Sequence, residues 1–250
     1  MTTDPLATLG ELPGVRTAVD QARAAVDELL RHRVLRGRSG EVSAESALRG
    51  ARASAALEGE DWTLAEIRRF DGKSDRPGAS TVAAALRVST EVGQLASTWQ
   101  RAPLQVLARL HLVAASPLDP GTAGRPRVAG EELTARLDAL AELVTERSAA
   151  PAIVVAGVVH GELLTLQPFP THNGLVARAA ARLVLITRGV DPKSVSVPEV
   201  GYLPSVYAQS AMAYASGTPD GVARWLVQFS DAVLLGAREG LAVCEAIRRG

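Results

Sequence analysis

The chain has 250 residues with 27 basic and 27 acidic side chains, so its formal charge is zero, which argues against a nucleic-acid binder with its usual basic excess. Hydrophobic residues make up 47% and aromatics only 4%, which excludes disorder and calls for a core of Ala, Leu and Val. The single Cys244 excludes an intrachain disulfide and a multi-cysteine metal site, and fits a reducing compartment.

The opening MTTDPLATLGELPG has neither the basic start nor the apolar run of a signal peptide, and a soluble, cytoplasmic protein is expected. Val15, Val19, Ala22, Val26 and Leu30 share one face of a first helix ending near Arg33. The basic run Arg31–Arg38 reads as its solvated end. Ser43 is taken as the N-cap of a second helix that runs to about Leu57 and is closed by Gly59. A third starts after Thr63. The turn-rich Asp71–Ser80 follows, then helices at about Thr81–Trp99 and Pro103–Ala115, the latter with Pro in its first turn. Residues Ser116–Gly130 hold three prolines and three glycines and form a loop. Leu133, Leu137, Leu140 and Val144 mark another helix. Ala152–Leu166 is a buried one, broken by His160 and Glu162 and too short to span a bilayer. The last third carries Tyr202–Tyr214 and a long helix from about Gly221, striped by Val222, Trp225, Phe229, Val233 and Ala237. No stretch alternates apolar and polar residues long enough for a sheet, so the fold class is all-α.

The most informative stretch is 160–178, HGELLTLQPFPTHNGLVAR. Pro168 and Pro170 stop the buried helix. Asn173 and Gly174 supply a turn with positive φ, and a new helix runs from Leu175 to Arg188. Free N–H groups at such a helix start form an anion site. Arg178 is read in the first turn, where a cation opposes the helix dipole and so calls for an anionic partner. His111 and His160 sit on apolar faces and read as hydrogen-bonded core residues. The histidines show no metal-ligand spacing.

This stretch resembles the signature of Fic (Fido-fold) proteins, H-P-F-x-D/E-G-N-G-R-x-x-R, which mostly transfer AMP from ATP to a protein hydroxyl. Pro168, Phe169, Asn173, Gly174 and Arg178 match it. Gln167 stands where the family has its catalytic histidine, Thr171 replaces the metal-binding carboxylate, His172 the first glycine and Leu175 the first arginine. Ser54-Ala-Ala-Leu-Glu58-Gly59 resembles the family's inhibitory motif, S/T-x-x-x-E-G/N, whose glutamate reaches the second arginine of the signature. His160, Trp225 and Phe229 match flanking positions, and Pro120, Gly121 and Arg125 echo a flap that holds target peptides.

The resemblance implies a Fic/Fido-type helical bundle with a short β-hairpin flap near residues 118–130. Residues 1–40 would form an N-terminal helical extension. Residues 41–250 would form the Fic-like domain, with the inhibitory-type helix at 43–59 and the signature loop at 167–178. Thr171, His172, Asn173, Gly174 and Arg178 would line a site for ATP or a related nucleotide. Ser54, Glu58 and Gly59 would be regulatory, and a protein target would dock at the flap. Gln167 would occupy the catalytic position without doing its work, because an amide has no usable pKa near neutrality, and Thr171 is a poor ligand for magnesium. Two functional readings follow. One is a pseudoenzyme that binds a nucleotide or a protein without standard AMP transfer. The other is an active, adenylyltransferase-like nucleotidyl- or phosphoryl-type transferase that modifies protein hydroxyls with altered chemistry, using either another nucleotide-like donor or His172 as base. Neither nucleic acid nor membrane is expected as a partner.

Overall fold

In a computed structural model, residues 4, 6–115, 119–127, 130–146, 148–202 and 204–249 are described. They contain ten α-helices and three short 3-10 helices, with no strand among them, as the composition requires. In chain order the helices are α1 (Val15–Leu30), α2 (Ser39–Leu57), α3 (Leu64–Arg69), α4 (Ala79–Trp99) and α5 (Pro103–Ala115), followed by α6 (Glu131–Thr145), α7 (Ala152–Leu166), α8 (Asn173–Thr187), α9 (Pro204–Ala215) and α10 (Pro219–Arg249). None is long and apolar enough to cross a membrane.

The centre is α7, whose near-continuous apolar sequence is buried on every side from Ile153 to Gly161. Such a helix must be wrapped by others. Its neighbours include α8, α9 and α10, and α8 continues the packing onto α4. Two glycines set how close α7 lies to the C-terminal helices. A Cβ at Gly157 would stand 2.8 Å from Leu226, and one at Gly161 would stand 2.8 Å from Tyr214 and 2.9 Å from the Trp225 indole. With the space open, the Trp225 N–H donates to the Gly157 carbonyl at 2.7 Å. The first helix belongs to the same core: Val15, Val19, Ala22 and Val26 are buried as expected, and α1 lies along α10.

Several boundaries move. Ser43 is not a cap; α2 begins at Ser39, where Glu41 in the first turn suits the helix dipole and takes two hydrogen bonds from Arg38. The arginines of the 31–38 run are exposed at the end of α1, as expected, but the run is ordered further. It folds back as a 3-10 turn whose His32 pairs with Glu245 and whose Arg38 donates to the Ile247 carbonyl. Residues 71–80 are tied down by Arg76, which sits 4.2 Å over the Trp62 ring and bonds Glu66. The β-hairpin expected at 118–130 is not found among its described residues. Positions 119–127 form turns, because Asp119 takes the N–H groups of Gly121 and Thr122 and so closes the chain on itself. Residues 118, 128 and 129 lie outside the described set.

Candidate functional site

Helix α7 ends at Gln167, which adopts the left-handed conformation (φ 44°) and bonds back to Leu163 at 3.0 Å. A second left-handed residue, His172 (φ 56°), caps α8. The chain thus reverses at Gln167 and His172, not at Asn173 and Gly174 as the Asn-Gly pair led us to expect. Asn173 already belongs to the helix, and its side chain acts as a staple. Its Oδ1 accepts from the Phe169 N–H at 2.9 Å and its Nδ2 donates to the Phe169 carbonyl at 2.7 Å. His111 stacks flat on the Phe169 ring at 4.3 Å, fixing the loop from the α5 side.

Gly174 is needed for proximity. A Cβ there would collide with Glu58 Oε1, which lies against the start of α8. From that position Glu58 accepts a hydrogen bond from Arg178 Nη2 at 2.6 Å. Arg178 lies in the second turn of α8, two residues deeper than expected from the sequence. What calls for an anionic partner is therefore burial rather than the helix dipole, since its side chain is only 3% exposed against 30% for Glu58. Its Nε donates to Ser54 Oγ at 2.7 Å and its Nη2 also to the Ser54 carbonyl at 3.3 Å. Ser54, Glu58 and Arg178 are thus brought together. Gly59, with φ 97°, turns the chain away just after Glu58. Burial is the strongest influence on the Arg178 guanidinium and opposes its charge, yet Tyr207 and Glu58 outweigh it and raise its pKa. Burial also raises the Tyr207 pKa and keeps that phenol neutral, so Glu58 is the partner that brings a charge.

The positions where the chain departs from the Fic signature have their own arrangement. The Gln167 side chain is exposed and makes no hydrogen bond among the described residues. The Thr171 hydroxyl lies 2.8 Å from His172 Nδ1 and 3.4 Å from His111 Nε2. Burial lowers the pKa of both histidines, against the pull of Glu58 on His172, so both imidazoles are neutral at pH 7. His111 Nδ1 accepts the Gly124 N–H at 3.0 Å, which puts its proton on Nε2. One hydroxyl and two imidazoles do not suit magnesium, which prefers carboxylate oxygens, and Glu58 is engaged by Arg178. The donor set does not fit the metal; Arg178 and the α8 start would suit an anion in the place that the Glu58 carboxylate now takes.

Two contributors escaped the sequence reading. Arg127, rather than Arg125, joins the 119–127 segment to the loop. Its N–H donates to the Pro168 carbonyl at 2.8 Å, and its guanidinium to those of Gln167 and Leu166 at 2.8 and 3.0 Å. A basic residue opposite a helix C-terminus was the available signal. Tyr207 on α9 is the other, its hydroxyl 3.5 Å from Arg178 Nη1. No local pattern marks it.

No protein-family model matches the chain, and no curated protein matches it in sequence. Solved structures do. The chain is similar to Fic-1 (residues 134–508) from C. elegans, with a TM-score of 0.68 and 19% identity over 91% of this chain and 73% of that one. It is similar to a Fic family protein from Desulfovibrio desulfuricans G20, with a TM-score of 0.68 and 19% identity over 90% and 74%. A Fic domain containing signaling protein from Bacteroides thetaiotaomicron VPI-5482 superposes with a TM-score of 0.66 and 14% identity over 92% and 98%. The fold is the Fic fold.

Proposed function

We propose that this chain is a regulatory protein that binds a nucleotide or a protein partner on the Fic fold, and that it has lost standard AMP transfer. The observation that carries the reading is the Glu58–Arg178 pair, a buried guanidinium closed by a half-exposed carboxylate at the mouth of an anion site. Glu58 and a phosphate compete for the same Nη2, so the site is gated by charge. Loss of transfer is supported by Gln167 and Thr171. General-base assistance is worth about 10²–10⁴-fold, and an amide supplies none of it. The protein partner would dock on the 119–127 segment that Arg127 holds against the loop.

A transferase using His172 as base has one observation in its favour, the neutral imidazole 2.8 Å from a hydroxyl. That nitrogen, however, is taken by the neighbouring Thr171 hydroxyl and is not free for an incoming target. Long incubation with ATP and magnesium, followed by mass spectrometry, separates the two. An unmodified chain is expected, and an AMP adduct on any Ser, Thr or Tyr would refute the proposal. Binding is read separately by calorimetry. Arg178→Ala should weaken nucleotide binding roughly tenfold or more, since hydrogen bonds to a charged group contribute about 1.5–3 kcal/mol.

A further inference from the structure

Behind Arg178 runs a buried chain of polar groups that the ion pair with Glu58 does not need. Arg178 Nη1 lies 3.5 Å from the Tyr207 hydroxyl, that hydroxyl 2.8 Å from His160 Nε2, and His160 Nδ1 3.3 Å from the Tyr202 hydroxyl. All three side chains behind the arginine are buried, and aromatic rings close them in. The direction of the chain follows from its head. A guanidinium only donates, so the Tyr207 oxygen accepts. A buried hydroxyl proton needs an acceptor, and His160 Nε2 stands within reach of it. Nε2 is then bare, and the imidazole proton sits on Nδ1, where it donates to Tyr202. Burial and the Arg178 charge both hold His160 neutral, which agrees with this tautomer. Tyr202 ends the chain beside Glu199, whose Oε2 is buried without a hydrogen-bond partner among the described residues and lines the same small cavity.

We infer that Tyr207, oriented by His160, is a positioning residue that holds Arg178 ready for an anion when Glu58 leaves. Glu58 is the one partner of the guanidinium that stands at the surface, at the last turn of α2. Ser54 and Tyr207 are buried and stay. Nη1 has Tyr207 as its one partner among the described residues, so this contact joins the two Ser54 bonds to Nε and Nη2 in holding the guanidinium plane once Glu58 is gone. A site aimed in advance spares an incoming phosphate the cost of ordering the side chain. Helix α9, which carries Tyr207, thereby becomes part of the anion site.

This inference rests on the anion-site reading above, and its test keeps the two apart. ATP is titrated calorimetrically into the Glu58→Gly chain and into Glu58→Gly/Tyr207→Phe, with thermal midpoints recorded for both. The tautomer of His160 in the wild-type chain is read by ¹⁵N NMR of the imidazole. The expected result is ATP binding roughly tenfold weaker in the double variant at saturable, folded conditions, with His160 protonated at Nδ1 in the wild type. A merely structural tyrosine would lower the midpoint and leave the affinity alone. If Glu58→Gly binds no ATP, the anion-site reading falls and this inference with it. If Glu58→Gly binds and the double variant binds equally well, or if His160 carries its proton on Nε2, the positioning role alone is overturned.

Discussion

At position 174 a side chain would take the space that Glu58 uses to reach Arg178, and this can be measured as a coupling. Gly174→Ala should destabilise the wild-type chain by about 1–3 kcal/mol through overpacking and a displaced carboxylate. In a Glu58→Gly background the same change should cost much less, because only the Arg178 guanidinium, 3.0 Å from the added Cβ, then has to give, and Ala is the better helix former by about 0.5–1 kcal/mol. Urea unfolding of the four chains gives the coupling, and equal costs in both backgrounds would remove Gly174 from the site. Restoring the signature histidine with Gln167→His should recover little transfer by radiolabel assay, since Thr171 and Leu175 also depart from the Fic pattern; strong recovery would show those two to be innocent. At this scale Ser54, Glu58 and Arg178 were legible because a motif fixes their order. The physical reasons were less so. Arg178 needs an anion because it is buried, and burial belongs to the assembled fold.

The helices were legible wherever apolar spacing was regular, as in α1 and α10, and the ends were not. Helix α8 starts at Asn173 because the Asn side chain is spent on Phe169 and leaves its backbone free to be helical. An Asn-Gly pair read locally says turn. The expected hairpin rested on the resemblance alone, and the Asp119 turn takes its place among the described residues. For α7, closeness to its neighbours depends on glycines whose role no spacing rule reveals. Gly157→Val should cost about 1–3 kcal/mol by pressing on Leu226 and Phe229, read as a lower urea midpoint at unchanged slope. An unchanged midpoint would mean that α10 can retreat from α7 freely.

For the molecule as a whole, burial holds three histidines below their ordinary pKa: His111, His160 and His172. In the unfolded chain each titrates near the usual value of about 6.5. Below that pH the unfolded state binds protons that the folded state refuses, so stability must fall as pH falls. The thermal midpoint should therefore drop between about pH 7.5 and 5.5, before the paired carboxylates begin to protonate, and a flat midpoint across that window would contradict these environments. The sequence pointed to the all-α class and the Fic fold through composition and one half-kept loop. It could not point to Tyr207, which reaches the site from a helix distant in the chain. The claim on which the functional reading turns is that Glu58 guards Arg178 against a phosphate. Calorimetric titration of ATP and of AMP into the wild-type chain and into Glu58→Gly tests it most directly, since a monophosphate held at the α8 start would not reach the guarded guanidinium. The substitution is expected to tighten ATP binding roughly tenfold and to leave AMP nearly unchanged. Equal shifts for both nucleotides, or no shift for either, would contradict it.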